Sequence, residues 1–465
     1  MSGVDLLSLA RTGPIHFMGI GGAGMSALAE ALLLAGARVT GCDANATAAS
    51  AVLGGRIEVL AGHDAAHVAD AAAVVVTSAV SSEHAELQAA RARGIPVMKR
   101  AQALGALVNA GVVLAVAGTH GKTTTTAMTS AILDEAGLDP TSFVGGRVQG
   151  WGGGLRQGAS RLYVVEADEY DRSFLTLEPD AAVVTSIEAD HLDIYGDIEA
   201  IRAAFSELLA RVPADGMIAV CSDDAGARAI VPHDDARLLT YGTGADARLQ
   251  ATGVRQDGHA ARFDVQLDGR ALGAVTLGVP GEHNVRNALG AYALARHASA
   301  DFAAAQRALA TFRGVARRFE EVGTVQGITV VDDYAHHPTE ISATLSAARA
   351  VYPGRRIVAA FQPHLYSRTR DLAREFGVAL AAADAAWVTD VYAAREQPLA
   401  GVTGDLVVQA ARAAGMTAVH YAPTLPELQR ALAESLGEGD VCVAMGAGDI
   451  DVAVRAVYAR LREAA

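Results

Sequence analysis

A loop that could bind phosphate spans Gly118–Thr123 and reads Gly-Thr-His-Gly-Lys-Thr. It follows an apolar run at 112–117 and opens a predicted helix, so backbone N–H groups at the helix start would face an anion. A lysine here neutralises phosphate oxygens, and a threonine hydroxyl can reach Mg²⁺. The match to the phosphate-binding pattern is partial, because Val116 stands where that pattern has glycine. The chain contains two lysines, Lys99 and Lys122, and one of them occupies the position that requires lysine.

A carboxylate and an imidazole are predicted beside this loop. Glu166 lies at the end of a predicted strand that begins at 162, and His191 follows another that begins at 181. Because the carboxyl ends of parallel strands meet at one edge of a sheet, both side chains would emerge near the phosphate loop. There they could hold Mg²⁺ between phosphate and substrate. The alternative is that Glu166 belongs to a solvated acidic loop.

A second glycine-rich loop lies near the N-terminus. Gly19–Gly24 matches G-x-G-x-x-G between a predicted strand and a predicted helix. Such a loop lets backbone N–H groups approach a phosphate, and Asp43, at the end of the next strand, could accept a ribose hydroxyl. This motif alone also fits a dinucleotide-dependent oxidoreductase, or a glycine-rich turn without a ligand.

Polar residues in the last third of the chain also follow predicted strands. The segment Asp333–Pro338 contains adjacent histidines, which seldom bind one ion together, so substrate contact is favoured over metal binding, with helix capping as the alternative. His364 and Arg368 follow the next strand, where an arginine could bind a carboxylate or phosphate. Asn284 and Asn287 could pair with the edge of a base, although each also suits helix capping or a polar helix face.

These loops require a scaffold of alternating strands and helices. Short apolar runs alternate with amphipathic stretches through most of the chain, which is typical of parallel sheets covered by helices. Between 249 and 279, the turn signals Asp257-Gly258 and Asp268-Gly269 predict antiparallel hairpins. At roughly 150 residues per domain, 465 residues suggest three domains. The predicted fold is therefore α/β with three domains in series, at 1–108, 109–314 and 315–465.

Composition restricts the function and location further. Hydrophobic residues make up 51% of the chain, which excludes a disordered protein, and the net charge of −14 weighs against nucleic-acid binding. Cys42, Cys221 and Cys442 are far apart, so their spacing suggests neither a disulfide framework nor a structural zinc site. Because the sequence has no apolar run of about 18 residues and no signal-peptide pattern, we expect a cytoplasmic protein without membrane insertion.

Taken in order, these segments resemble the Mur ligase family, whose members build the peptide of bacterial cell-wall precursors. The resemblance extends over essentially the whole chain. It rests on Gly19–Met25, Gly118–Thr123, Glu166–Glu169, Asp190-His191, His283–Asn287, Arg317–Glu320, Asp333–Pro338, Phe361–Arg370 and Met445–Asp449.

The resemblance implies a Rossmann-like N-terminal domain for a UDP moiety, a P-loop-type central ATPase domain with some antiparallel sheet, and a Rossmann-like C-terminal domain for an amino acid. The implied reaction uses ATP and Mg²⁺ to join L-alanine to the carboxylate of UDP-N-acetylmuramate through an acyl phosphate. The implied state is a monomer or weak homodimer. A recycling ligase that adds a tripeptide to the same sugar is the close alternative. A regulatory nucleotide-binding protein that forms no bond is a more distant one.

The resemblance also implies individual roles. The implied ATP contacts are Gly118, Thr119, His120, Gly121, Lys122, Thr123, Thr124, Asn284, Asn287, Arg318 and Asp333. The implied substrate contacts are Gly19, Gly21, Gly22, Gly24, Asp43 and Ser78 for the UDP-sugar, and Tyr334, His336, His364 and Arg368 for L-alanine and the muramoyl group. The implied Mg²⁺ ligands are Thr123, Glu166 and His191, and Lys122, Glu166 and His191 are the implied catalytic residues, with His191 either a ligand or a base. Leu365 stands where the family often has arginine, so no carboxylate-binding role is assigned there.

Overall fold

The computed structural model describes residues 6–77, 80–81 and 83–463. Its strands form three sheets, of five, ten and six strands, which confirms the predicted three-domain α/β fold. By their internal contacts, the residues divide into two compact units. The first unit contains residues up to 252 together with 264–275 and 286–312, and the second contains 253–263, 276–285 and 313–465.

The first sheet is wholly parallel, with strand order β3-β2-β1-β4-β5. Its strands are β1 (Ile15–Met18), β2 (Val39–Asp43), β3 (Glu58–Ala61), β4 (Ala73–Val76) and β5 (Val97–Lys99). The helices around it are α1 (Leu6–Leu9), α2 (Ala23–Leu34), α3 (Ala46–Val52), α4 (Ala85–Ala92) and α5 (Arg100–Val108), with a short 3₁₀ turn at Ala65–Val68. The strand order reverses between β1 and β4, and a crevice at such a point is a common ligand site.

The second sheet has the order β15-β14-β13-β12-β11-β10-β6-β9-β7-β8. Its strands are β6 (Val112–Ala117), β7 (Thr141–Phe143), β8 (Leu155–Arg156), β9 (Leu162–Glu166), β10 (Ala181–Val184), β11 (Met217–Cys221), β12 (Leu238–Gly242), β13 (Leu249–Asp257), β14 (Ala260–Leu267) and β15 (Arg270–Leu277). Its helices are α6 (Lys122–Glu135), α7 (Leu192–Tyr195), α8 (Ile198–Leu209), α9 (Ala225–Arg228), α10 (Glu282–His297) and α11 (Phe302–Thr311), with a 3₁₀ segment at Tyr170–Thr176. Two-residue turns join β13 to β14 and β14 to β15, which confirms the predicted hairpins.

Strand β6 organises the phosphate loop. It is almost wholly buried and pairs in parallel with β9 on one side and β10 on the other. Continuous apolar runs of this kind suit a parallel strand that is covered on both faces. The loop after β6, the end of β9 and the segment after β10 therefore leave the sheet at the same edge.

The first two sheets share one apolar core within the first unit. Phe17 in the first sheet, Leu104 on α5 and Phe174 and Phe205 around the second sheet all belong to the same buried cluster. Phe174 and Phe205 meet edge to face, with ring centroids 5.1 Å apart. Because this core is continuous, the glycine loop after β1 is held in place relative to the second sheet.

The third sheet lies in the second unit and has the order β16-β17-β21-β18-β19-β20. Its strands are β16 (Glu320–Val325), β17 (Ile328–Asp333), β18 (Arg356–Phe361), β19 (Ala385–Val388), β20 (Val419–Tyr421) and β21 (Asp440–Met445). Its helices are α12 (Pro338–Val351), α13 (Tyr366–Leu380), α14 (Asp405–Ala413), α15 (Leu425–Ser435) and α16 (Ile450–Glu463). Among the described pairings of this sheet, only β16 is antiparallel to its neighbour. A separate apolar cluster covers each face of the sheet.

Two strands extend further than the sequence suggests. Asp43 is the last residue of β2, and Asp332 and Asp333 are the last residues of β17 rather than the start of a loop. Aspartate is a poor strand residue in isolation, and here each acts as an acceptor for backbone or arginine donors at the sheet edge. Across the described residues, the helices are too short or too polar to span a bilayer.

Candidate active site

The loop between β6 and α6 has a backbone that only glycine tolerates at two positions. Gly118 has φ of 134° and Gly121 has φ of 80°. A Cβ atom on Gly118 would lie 2.0 Å from Thr185 Oγ1, and one on Gly121 would lie 2.5 Å from Asn287 Oδ1. Both contacts are far inside van der Waals distance. The two glycines therefore let the loop pass close to its neighbours at the N-terminus of α6.

Lys122 folds back across this loop. Its Nζ donates to the carbonyl oxygens of Gly118 at 2.7 Å and Thr119 at 3.2 Å, and it lies 2.7 Å from Glu169 Oε2. The two charged side chains are only 13% and 4% exposed. Burial alone would lower the pKa of Lys122, but the nearby carboxylates of Glu169 and Asp168 raise it overall, so the ammonium stays charged. Burial raises the pKa of Glu169, and Lys122 opposes that shift.

The segment after β10 anchors the phosphate loop from the other side. Thr119 N donates to Ser186 O at 2.8 Å, and His120 N donates to Ser186 Oγ at 3.1 Å. Glu188 N donates to Thr119 Oγ1 at 3.0 Å, and the Glu188 carboxylate lies 3.0 Å from His120 Nε2. These contacts fix the loop through two neighbouring strands. Glu188 was not singled out from the sequence, because its partner is 68 residues away.

Thr123 and Glu166 are in direct contact. Thr123 Oγ1 donates to Glu166 Oε1 at 2.9 Å, and Gly145 N donates to the other carboxylate oxygen at 2.5 Å. Thr124 is buried in the first turn of α6. His191 precedes α7 in a left-handed conformation with φ of 51°, and its ring lies edge-on to Tyr170 with centroids 5.2 Å apart. Thr123 and Glu166 thus form an oxygen-rich pair of the type that binds Mg²⁺.

The N-terminal glycine loop is closed by Asp43. Gly21 N donates to Asp43 Oδ2 at 2.9 Å, and Asn45 N donates to Oδ1 at 2.9 Å. Gly19 N donates to the carbonyl oxygen of Cys42, which keeps the loop against the end of β2. The Asp43 carboxylate therefore fixes the conformation of the glycine loop. It also lies where a ribose could approach. Ser78 falls outside the described residues.

A cleft of about 300 Å³ lies between the glycine loop and the 3₁₀ segment that begins at Tyr170. Its lining residues include Gly22, Gly24, Thr77, Lys99, Arg100, Asp168, Tyr170 and Ser173. Lys99 Nζ lies 2.6 Å from Asp171 Oδ2, and Arg100 lies across Gly24. The sequence analysis did not single out these two cations, which both line the cleft. The scarcity of lysine was the signal, since the second of only two lysines lines this cleft.

In the second unit, Asp333 holds a strained turn. Its Oδ2 accepts from Phe319 N at 2.8 Å and its Oδ1 accepts from Ala335 N at 2.7 Å. Arg317 and Phe319 both have positive φ, at 59° and 50°, so the carboxylate stabilises a conformation that these residues rarely adopt. Burial raises the pKa of Asp333 to about 6, against the opposing charge of Arg318. The guanidinium of Arg318 lies 5.1 Å from the centroid of the Tyr334 ring.

The polar residues of the second unit converge in a row of rings. Ring centroids are 5.4 Å apart for Tyr334 and His336, 5.8 Å for His336 and His364, and 5.7 Å for His364 and Tyr392. Arg368 Nη1 lies 3.3 Å from His364 Nδ1. The structure therefore brings together all four residues for which the sequence suggested a substrate role here. Tyr392 was missed, since it lies on a connection without a recognisable pattern.

Glu340 links this row to the turn at Arg318. His336 N donates to Glu340 Oε2 at 2.9 Å, and Arg318 Nη1 lies 3.6 Å from Oε1. Leu365 is 4% exposed and immediately precedes α13 with φ of 71°, so its side chain is part of the interior and not a ligand group. Asn284 Nδ2 donates to Pro280 O at 2.7 Å, which supports a local structural role, whereas Asn287 lies against Gly121 of the phosphate loop.

Three family models match this chain, and together they cover most of it. The model described as "Mur ligase family, catalytic domain" matches residues 14–111, "Mur ligase middle domain" matches 116–295, and "Mur ligase, glutamate ligase domain" matches 317–448.

The chain belongs to the Mur ligase family.

Individual Mur ligases show the same relationship. The UDP-N-acetylmuramate–L-alanine ligase of Salinibacter ruber is 47% identical over 445 residues, which cover 95% of this chain and 94% of that protein. The crystal structure of UDP-N-acetylmuramate-alanine ligase from Thermotoga maritima aligns with a TM-score of 0.82 at 30% identity, over 97% of this chain and 100% of that one. A murein peptide ligase from Psychrobacter arcticus aligns with a TM-score of 0.69 at 26% identity, over 97% and 98%. The predicted family is confirmed.

Proposed function

We propose that this chain is an ATP-dependent ligase that joins L-alanine to the lactyl carboxylate of UDP-N-acetylmuramate, in the synthesis of peptidoglycan precursors. The proposal rests on one observation above all: this chain, a member of the Mur ligase family, has a buried lysine in its phosphate loop. Lys122 remains charged at the N-terminus of α6, beside the oxygen pair of Thr123 and Glu166. A dinucleotide-dependent oxidoreductase would leave this arrangement without a role.

The proposed nucleotide site uses the phosphate loop of the first unit. The backbone N–H groups of Gly118–Thr124 and the Lys122 ammonium would bind the β- and γ-phosphates of ATP. Thr123, Glu166 and His191 would hold Mg²⁺, which fits the hard oxygen donors seen at Thr123 and Glu166. When bound, the ion supplies positive charge against the phosphate oxygens. Asn287 lies beside the loop and is a proposed adenine contact, together with Asn284.

The proposed chemistry begins with an unreactive carboxylate. The lactyl carboxylate oxygen attacks the γ-phosphorus of ATP, the bond to the β–γ bridging oxygen breaks, and ADP leaves. The amine of L-alanine then attacks the acyl carbon, loses a proton, and expels phosphate. The contribution of Lys122 is to neutralise charge as it develops on the phosphoryl oxygens, while the loop N–H groups fix its position. His191 is a proposed base for the amine proton or a metal ligand.

The UDP moiety is assigned to the glycine loop of the first sheet. Gly19, Gly21, Gly22 and Gly24 open the crevice where the strand order reverses. The N-terminus of α2 lies in the same cleft as the side chains of Lys99 and Arg100. Such an arrangement suits a diphosphate, because backbone dipoles and two cations face one cleft. Asp43 is a proposed ribose contact, and Ser78 a proposed uridine contact.

The amino acid and the muramoyl group are assigned to the second unit. Tyr334, His336, His364 and Arg368 form one polar row, and Arg368 offers a cation for a carboxylate. Arg318 and Asp333 are proposed nucleotide contacts, although Asp333 already accepts two backbone hydrogen bonds.

We also propose domain limits at 1–108, 109–314 and 315–465, a monomer or weak homodimer, and a cytoplasmic location. The location is supported by three buried cysteines without disulfides.

Phosphate release from ATP tests the proposal directly. The assay combines UDP-N-acetylmuramate with a panel of single amino acids and, separately, with L-alanyl-γ-D-glutamyl-meso-diaminopimelate. Phosphate release that requires both the UDP-sugar and L-alanine supports the proposal. Release only with the tripeptide would make the chain a recycling ligase, and release that is independent of both would make it a nucleotide switch.

A further inference from the structure

A buried carboxylate in the first sheet is surrounded by imidazoles and a thiol. Glu86 lies in the first turn of α4 and its side chain is 0% exposed. Cys42 on β2 and His63, just after β3, contact the same carboxylate oxygen. We refer to Cys42, His63 and Glu86 as the Cys42 cluster. It has no part in the ligase chemistry described above.

The three atoms of the Cys42 cluster form a nearly equilateral triangle. Cys42 Sγ lies 3.3 Å from His63 Nδ1 and 3.4 Å from Glu86 Oε2, and His63 Nδ1 lies 3.3 Å from the same Oε2. In a tetrahedral zinc site, bond lengths of about 2.0–2.3 Å put ligand atoms about 3.4–3.6 Å apart. Nitrogen–oxygen hydrogen bonds are usually about 2.7–3.2 Å long. The three distances are therefore close to those of one face of a zinc tetrahedron, and the 3.3 Å between His63 Nδ1 and Glu86 Oε2 is longer than a usual nitrogen–oxygen hydrogen bond.

Two further histidines lie close to this triangle. His84 Nδ1 is 3.9 Å from Glu86 Oε2, and His84 caps α4 by accepting from Glu86 N at 3.2 Å. His16 on β1 is fully buried, and its Nε2 has no hydrogen-bond partner among the described residues. One ring nitrogen of His16 lies within 4.8 Å of the ligand atoms of Cys42 and Glu86. A buried imidazole nitrogen without a partner costs free energy of folding, unless a bound group accepts its N–H or binds its lone pair.

We propose that the Cys42 cluster binds Zn²⁺, with an imidazole of His16 or His84 as the fourth ligand. Sulfur and nitrogen donors favour zinc over Mg²⁺, which prefers oxygen. The other carboxylate oxygen is already oriented, because Asp64 N donates to Glu86 Oε1 at 3.1 Å and His67 Nδ1 lies 2.9 Å from it. Binding converts the Cys42 thiol to a thiolate and releases its proton to solvent. The His63 side chain is 33% exposed and provides the entry path.

The site would brace the glycine loop. The carbonyl oxygen of Cys42 accepts from Gly19 N at 2.9 Å and Ile20 N at 3.1 Å, so the metal would fix the strand end that holds this loop. Cysteine spacing alone gives no sign of it, because the ligands come from separate elements, with Cys42 and Glu86 44 residues apart.

Cobalt substitution in the full-length chain tests the proposal without using activity. The protein is stripped with a chelator, titrated with Co²⁺, and then challenged with Zn²⁺. With excess Mg²⁺ present to compete at Thr123 and Glu166, we expect one Co²⁺ per chain, a sulfur-to-cobalt charge-transfer band and the intense visible bands of tetrahedral cobalt. Adding Zn²⁺ should abolish both sets of bands. Cys42→Ser should abolish the charge-transfer band. Cys221→Ser and Cys442→Ser are matched controls, because both residues are buried free thiols elsewhere, and they should keep it.

Histidine variants keep the test decisive if Cys42→Ser folds poorly. His63→Gln should weaken Co²⁺ binding by at least about tenfold, and circular dichroism checks that it is folded. His16→Gln and His84→Gln identify the fourth ligand, since one of them should weaken binding to a similar extent. The proposal is overturned if the wild-type chain binds no Co²⁺, if the charge-transfer band survives in folded Cys42→Ser, or if His63→Gln binds as tightly as wild type. Unchanged binding in both His16→Gln and His84→Gln would overturn the four-ligand site.

Discussion

Lys122→Met should separate the structural role of the phosphate-loop lysine from its role in catalysis. The substitution removes the ammonium that lies 2.7 Å from Glu169 and leaves a carboxylate that is 4% exposed without its cation. Breaking a buried pair in this way costs about 3–5 kcal/mol of unfolding free energy when the remaining charge cannot be neutralised. The carboxylate can be neutralised here, because burial already raises the pKa of Glu169 and loss of Lys122 raises it further.

The stability cost should therefore depend on pH. A carboxyl whose pKa is higher in the folded chain than in the unfolded chain stabilises the fold below its unfolded pKa, and that stabilisation is lost as pH rises through the folded value. The unfolded value for Glu169 is 4.5. Lys122→Met should consequently be close to wild type in stability near pH 5 and become progressively less stable toward pH 8, by about 1.4 kcal/mol for each unit of pKa shift.

A double variant isolates the catalytic contribution. Lys122→Met with Glu169→Gln removes both buried charges, so denaturant unfolding should show most of the lost stability restored at pH 8. Phosphate release with UDP-N-acetylmuramate and L-alanine should stay depressed by about 10²–10³-fold, because the cation at the phosphoryl group is still missing. Lys99→Met is the stability control, since that lysine is 55% exposed.

Two results would refute this reasoning. Activity of Lys122→Met within about tenfold of wild type corresponds to a barrier change of only ~1.4 kcal/mol, which is too small for a lost phosphate cation. Recovery of activity in the double variant would show that Lys122 acts through the fold and not at the phosphate.

Four other expectations can be measured with the same protein. Glu166→Ala and His191→Ala should each raise the Mg²⁺ concentration needed for half-maximal phosphate release, and an unchanged Mg²⁺ dependence in both would remove them as ligands. Lys99→Ala should raise the KM for UDP-N-acetylmuramate with little change in kcat, as measured by initial rates. An unchanged KM would show that the cleft lined by Lys99 does not bind the diphosphate. Because burial raises the pKa of Asp333 to about 6, its stabilising contribution is lost as pH rises from about 4 through 6; denaturant unfolding of Asp333→Asn should lack this pH dependence and cost about 1 kcal/mol for the weakened hydrogen bonds. UDP-N-acetylmuramate carrying heavy oxygen in its lactyl carboxylate should yield phosphate with one labelled atom per amide bond, detected by mass spectrometry, whereas label in AMP or unlabelled phosphate would exclude an acyl phosphate.

Several features of the site followed from local sequence alone. The glycines and lysine of Gly118–Thr123 specify a strand–loop–helix turn within six residues, and the structure has β6 and α6 on either side of it. Buried parallel strands were recognisable as short runs of branched apolar residues, and Met217–Cys221 and Val112–Ala117 have the predicted limits. Elements with weaker patterns were missed, including the three-residue strands β5 and β20 and the alanine-rich helices α3 and α14. Three residues are too few to show alternation, and small alanine side chains give only a weak apolar periodicity.

By itself, the sequence determined which turns could face a phosphate, because hydrogen-bonding geometry at a helix start depends on consecutive residues. The pairing of side chains across the fold was decided only by the tertiary structure. Lys122 meets Glu169 across 47 positions, and Cys42 meets Glu86 across 44, since strand order brings distant segments to one sheet edge. The sequence identified Asp333 as a polar residue near a strand end. It did not show that the Asp333 carboxylate accepts a hydrogen bond from Phe319 N, because that contact depends on the positive φ of Phe319. Register and burial set these contacts, and neither is encoded in the spacing of residues along the chain.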